Sequence, residues 1–169
     1  MPAVTIRPAQ PADVPLILAL VRELAAYERE PKSAVASDEQ VRTALFAPPS
    51  VDRAAAGCLI AELDGAPQGF ALYFHNFSTW TGRSGLYLED LFVRPAARGH
   101  GLGKRLMIEL ARLAIARGCA RFEWSVLDWN TPAIDFYRAL GAVRMEEWTV
   151  HRLSGDALRA LAAADGDQS

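Results

Sequence analysis

Two acids in an apolar run are the first residues whose types ask for chemistry. LYLEDLFV (86–93) carries Glu89 and Asp90 among apolar neighbours, and burying an ionised carboxylate is costly unless it is paired or solvated. Adjacent residues of a regular strand point to opposite faces, so one of the two looks into a cleft or a bulge redirects it. A general base or a cation site is the functional reading; a carboxylate salt-bridged at a strand end is the plain structural one. Just downstream, R-G-H-G-L-G-K (98–104) sets Gly99, Gly101 and Gly103 alternately between Arg98 and Lys104. A helix entrance offers unpaired N–H groups and partial positive charge, and glycines let a ligand approach that backbone, so a phosphate or pyrophosphate is the natural guest. Further on stand Asn130, Thr131 and Pro132, followed by Phe136 and Tyr137. A phenol with a reference pKa of about 10 keeps its proton at neutral pH, which suits protonation of a leaving group.

The elements that must position these residues follow from periodicity. AVTIR (3–7) reads as a strand, and Pro11 and Asp13 open a helix with Val14, Ile17, Leu18, Val21 and Leu24 on one face, running to 27–29. Ser37 and Gln40 form a capping-box pattern for a second, short helix that the 47–50 segment APPS breaks. Residues 57–63 and 69–77 read as strands joined by DGAPQ, and 85–93 as a central strand, apolar on both faces. A helix over 102–117 ends at Gly118 and leads to a strand at 121–127, parallel to 85–93. A helix over 131–140 is expected with Thr131 as N-cap and Pro132 first, then a closing strand at 146–153, a helix over 154–162 and a frayed tail at about 164–169. Tyr137 then falls near the carboxyl ends of the two parallel strands, where open sheets hold ligands.

The whole chain of 169 residues fits one domain, 51% hydrophobic and 22% charged, with a formal net charge of −2. That balance gives no basic footprint for nucleic acid. No apolar run reaches the roughly 20 residues that span a bilayer, and MPAVTIRPAQ has no signal-peptide core. Cys58 and Cys119 lie far apart in apolar stretches, as free thiols do in a reducing cytoplasm. The three histidines, His75, His100 and His151, make no metal-ligand pattern, so no metal is expected.

Which phosphate compound the loop takes is narrowed by spacing. A P-loop needs G-x-x-x-x-G-K followed by a hydroxyl, but Arg105 follows Lys104. A dinucleotide site needs G-x-G-x-x-G and repeated βαβ units, although Glu123 stands twenty residues past Gly103. R-G-H-G-L-G after an apolar strand resembles the acetyl-CoA-binding R/Q-x-x-G-x-G/A signature of the GNAT N-acetyltransferases. LAAYE (24–28), LYLEDLFV, RGHGLG and DWNTPAIDFYRALGA (128–142) are similar to signature stretches of the spermidine/spermine (diamine) and thialysine enzymes within that superfamily.

The resemblance implies an α/β (α+β) fold: a mixed central sheet of about six to seven strands, antiparallel in its N-terminal half, one splayed parallel pair, helices on both faces. It also implies acetyl-CoA as cosubstrate, bound at Arg98, Gly99, His100, Gly101, Leu102, Gly103 and Lys104, with its pantetheine arm along Leu91, Phe92 and Val93. Asn130 and Phe136 would line the thioester end, Tyr137 would protonate the departing thiolate, and Glu89 would deprotonate the incoming amine. Tyr27, Glu28, Trp80 and Asp90 would hold the rest of a small cationic amine. A cytoplasmic homodimer, away from nucleic acid and membranes, is the implied setting. One departure bears on the substrate: the spermidine/spermine enzymes carry an acid two positions ahead of the loop tryptophan, where this chain has Ser78 before Trp80, with Arg83 added. That argues against a long polycation. A catalytically silent acyl-CoA-binding module and a dinucleotide-binding oxidoreductase are the alternatives.

Overall fold

A computed structural model describes residues 2–48 and 56–164. They fall into two compact units, Met1–Ser125 and Val126–Ser169. In the first, β1 (Val4–Pro8) leads through a 3-10 turn into α1 (Val14–Tyr27), followed by α2 (Asp38–Phe46), β2 (Ala56–Leu63), β3 (Ala66–Ser78), β4 (Arg83–Val93), α3 (Leu102–Ala116) and β5 (Phe122–Trp124). The strands form one sheet in chain order. Neighbours are antiparallel up to β4, and β4 pairs with β5 in parallel.

Local chemistry accounts for the element starts. Asp13 accepts the Gln10 N–H at 2.7 Å and holds the Arg7 guanidinium at 2.7 and 3.0 Å, so the end of β1 and the start of α1 are fixed together. Arg7 also reaches Glu62 on β2 at 2.7 Å. The Ser37–Gln40 capping box forms as expected. β2 and β3 join through a tight turn at Asp64 and Gly65, tighter than the five residues read from the sequence.

One face of the sheet buries Cys58, Ile60, Phe70 and Phe92 against Ile17, Leu20 and Leu24 of α1. The strand residues alternate and the helix residues recur every three to four positions, so a single apolar stripe meets a single sheet face. α3 lies on the other face: Leu72 packs on the α1 cluster, while Arg117 at the end of α3 lies 5.9 Å over the ring of the adjacent Tyr73. Leu102, Leu106, Met107, Leu110 and Ala114 are the buried stripe of α3.

The second unit holds α4 (Thr131–Ala139) and α5 (Gly155–Ala163). Asn130, not Thr131, is the N-cap of α4: its side-chain oxygen accepts the Ala133 N–H at 3.4 Å, and Pro132 follows in the first turn.

Three expectations about strands are corrected. The strand expected at 121–127 is confined to Phe122–Trp124. The closing strand expected at 146–153 is not formed, and Trp148, Val150 and Leu153 there are exposed. A strand exists only where a neighbour takes up its main-chain groups, and alternation in the sequence does not supply that neighbour. The sheet therefore has five strands among the described residues, not six or seven. The expected tail lies outside the described residues from position 165 onward.

Candidate active site

The two acids sit at a bulge. Along the β3–β4 ladder Tyr73 pairs with Leu88 and Leu72 with Asp90, so Glu89 is one residue too many on β4. An inserted residue breaks alternation: Leu88 shares the face of Tyr73, and Asp90 shares the face of Leu72, toward α1. Were Glu89 an ordinary strand residue, strict alternation from Leu88 would turn Asp90 to the α3 face. A bulge also bends its strand, and pairing with β5 stops at Leu88–Trp124, the last register before it. β4 runs on to Val93 with no β5 partner, which opens a gap beside residues 89–93.

The main chain within that gap alternates. The Phe92 carbonyl faces β3, since a Cβ built on Gly69 would come within 2.6 Å of it. Leu91 and Val93, one residue to either side, direct their N–H and C=O groups to the open edge. Phe92 contributes a buried side chain to the core instead.

The acidic groups gather on the α1 side. Glu89 is exposed, whereas Asp90 and Glu28 are half-buried. Burial, then the charge of Glu89, then that of Glu28, raise the Asp90 carboxyl to about 6. Burial also raises the Glu28 carboxyl. A carboxyl whose proton affinity is lifted by burial and by two neighbouring carboxylates forms a site that gains by receiving a cation. Tyr27 precedes Glu28 at the end of α1, half-buried.

The glycine loop lies at the end of β4. Gly99 and Gly101 have φ of 84° and 83°, a left-handed conformation that side chains rarely adopt, and a Cβ on either would meet nothing within 4 Å. The turn is therefore both specified by glycine and open to an approaching ligand. Gly101 is the N-cap of α3, so the N–H groups of Leu102, Gly103 and Lys104 belong to its unpaired first turn. Gly103 thus belongs to the helix and not to the turn. His100 is exposed.

The remaining expected residues stand elsewhere. Trp80 is 88% exposed in the β3–β4 turn. The span of β4 from Arg83 to Asp90 alone amounts to roughly 20 Å, so one chain does not bring Trp80 and Asp90 together. In the second unit, Phe136 and Tyr137 are half-buried with ring centroids 5.2 Å apart, and Asn130 is buried. Glu123, the acid that a dinucleotide reading needs, is held by Arg121 at 2.8 Å and by the Asn76 amide at 3.3 Å.

Two arginine contacts with no sequence signal complete the site's frame. Arg94 grips Glu23 of α1 with Nε and Nη2 at 2.9 and 2.7 Å and gives a third bond to the Pro67 carbonyl at 3.1 Å. That clamp fixes the end of β4 against α1. Arg98 donates Nε–H to the Val93 carbonyl at 3.0 Å and lies 4.8 Å over the Tyr27 ring. Partners 71 residues apart leave no mark in a local pattern.

A splayed parallel pair with a glycine turn at the mouth of the crossover helix is the framework of an acyl-transfer fold. The acetyltransferase (GNAT) family model matches residues 19–142, and the chain belongs to that family as an N-acetyltransferase. It is 39% identical over 173 residues to the thialysine N-epsilon-acetyltransferase of Sus scrofa, across 96% of this chain and 99% of the relative. The L-ornithine N5-acetyltransferase of Arabidopsis thaliana is 44% identical over 93 residues, 55% of this chain and 41% of that one. Among solved structures, an integron cassette protein from the V. cholerae mobile metagenome superposes with a TM-score of 0.78 at 28% identity, covering 95% of this chain and 98% of its own.

Proposed function

We propose that the protein transfers the acetyl group of acetyl-CoA to a primary amine of a small cationic substrate, by direct attack with both substrates bound. The observation that carries this reading is the junction of three features on one stretch of chain. The open edge of Leu91 and Val93 runs from the acidic group at Asp90 to the left-handed turn at Gly99 and Gly101. An extended arm with amide groups fits such an edge as an added strand fits a sheet, and a diphosphate fits the turn and helix mouth beyond it. Arg98, His100 and Lys104 flank that seat.

The residues then act as follows. Glu28 and Asp90, with Tyr27, attract and orient the ammonium end of the substrate. An alkylammonium has a reference pKa of about 10.4 and attacks nothing until it loses a proton. Glu89 removes that proton through water, with Asp90 beside it as the acid that titrates near neutrality. With Asp90, at about 6, as the final holder of that proton, its transfer from 10.4 is uphill by about 6 kcal/mol. That is a fraction of the roughly 16 kcal/mol barrier of a reaction turning over at about 10 per second, so a carboxylate suffices. The Leu91 N–H, on the open edge, polarises the thioester carbonyl. Tyr137 protonates the departing thiolate, with Asn130 and Phe136 around it.

Direct attack is favoured over an acylated cysteine. Burial pushes the Cys58 thiol up to about 12, leaving almost no thiolate at neutral pH. Cys119 follows the far end of α3, whose 15 residues place it about 22 Å from the glycine turn.

For the amine, the names of the thialysine and ornithine relatives point to a side-chain nitrogen of a small amino acid, in line with Ser78 standing where polyamine enzymes hold an acid. The family match spans residues in both units, which supports one acetyltransferase domain over 1–169. A homodimer belongs to the same reading. Val143, Val150 and Trp148 are exposed at 83%, 80% and 67%, an apolar surface a second copy can cover, and Trp80 reaches an amine only in another copy's site. The free thiols of Cys58 and Cys119 suit a reducing cytoplasm.

The test is thiol release from acetyl-CoA with thialysine, ornithine, lysine, putrescine and spermidine. Amine-dependent release, greatest with the amino acids, is expected. Binding of acetyl-CoA with no release for any amine would make the chain a silent acyl-CoA module.

A further inference from the structure

Arg98 touches both halves of the site at once. Its Nε–H occupies the Val93 carbonyl on the open edge of β4, and its guanidinium covers the ring of Tyr27. The first group is one that an arm added along β4 must use; the second belongs to the amine pocket beside Glu28 and Asp90. Arg98 itself is exposed and lies in the turn that leads to Gly99, so its side chain can swing toward the helix mouth without unpacking the core. A diphosphate seated there competes for the guanidinium with a full anionic charge, a stronger partner than one carbonyl and one ring face.

We propose that Arg98 is a shared latch: in the free protein it closes the Val93 acceptor and the Tyr27 face together, and the coenzyme's diphosphate draws it off both. This deepens the acetyltransferase reading and rests on it. The latch makes the two substrates bind with positive coupling, because whichever ligand displaces Arg98 first removes a cost from the other, and the coupling is equal in both directions. Arg98 is thus a positioning residue for the amine as well as a contact for the coenzyme.

The latch makes an unusual prediction for a pocket residue. Tyr27→Leu removes the ring that holds the guanidinium, so the free protein loses part of the latch. Coenzyme A then binds about two- to fivefold more tightly than to the wild type, the factor carried by one exposed cation–π contact. Tyr27→Phe keeps the ring and should match the wild type. Calorimetric titration of coenzyme A into the three proteins reads this directly, and repeating it with saturating thialysine should show a smaller coupling factor for Tyr27→Leu. If the wild type binds no coenzyme A, the acetyltransferase reading falls, and the latch with it. If it binds but Tyr27→Leu is equal or weaker, or Tyr27→Phe is as tight as Tyr27→Leu, the latch alone is overturned. Should Tyr27→Leu fail to fold, the Arg98 Nε–H resonance of the wild type, assigned with Arg98→Lys, decides. Slow solvent exchange that is lost on adding coenzyme A supports the latch, and a signal indifferent to coenzyme A refutes it.

Discussion

Asp90→Asn should stabilise the protein while disabling it, and the stabilisation should depend on pH. The Asp90 carboxyl stands at about 6 in the folded chain against an ordinary 3.8. Between those values the folded protein holds a proton that the unfolded chain has released, so raising the pH through this window costs the fold stability. The penalty is absent below about pH 4 and complete above about pH 6. A shift of about two units corresponds to about 3 kcal/mol. Asp90 is only half-buried, and solvent screening reduces this to about 1–2 kcal/mol. For a chain of this length that is a rise in Tm of about 3–8 °C. Melting curves of wild type and Asp90→Asn at matched ionic strength, from pH 4.5 to 8, give the comparison. The gap should be small at the acid end and widen to a plateau above pH 6.5, while KM for the amine rises. A gap that is flat across the range, or of the opposite sign, would show that Asp90 is not held against its charge and would remove the acidic pocket from the argument.

Glu89→Gln should lower turnover and shift its pH profile, and an unchanged profile would leave Asp90 as the proton acceptor. For Tyr137→Phe, kcat should fall about a hundredfold or more with coenzyme A affinity retained; equal loss of both would make Tyr137 a packing residue. Gly101→Val places a branched side chain at φ 83°, so coenzyme A affinity should drop at least tenfold by titration while the circular dichroism spectrum stays that of the folded chain.

Most of the sheet was legible because each strand carried its own period. The capping box at Ser37 and the helix entrance at Gly101 were equally local. Glu89 and Asp90 drew notice because carboxylates in an apolar run conflict with burial, and the bulge answered that conflict. Residues 146–153 show the limit: alternation there matched a strand, but the partner that would complete a ladder is not a property of the segment. The Glu23–Arg94 clamp and the Arg98–Tyr27 contact were illegible for a related reason. Each joins distant parts of the chain through a guanidinium, a residue type common on any surface, and only the folded path brings the ends together.

The extra residue at Glu89 ties the chain's length to its chemistry. Deleting one residue from 89–91 would restore an unbroken ladder with Leu88 and Phe92 still on their own faces. What it would remove is the bulge and its bend, and the strands would have no reason to part. Length changes belong at the tips, around Asp64 or Thr79–Gly82, where nothing downstream must keep its parity. The middle of β4 admits substitution but not a change in the count.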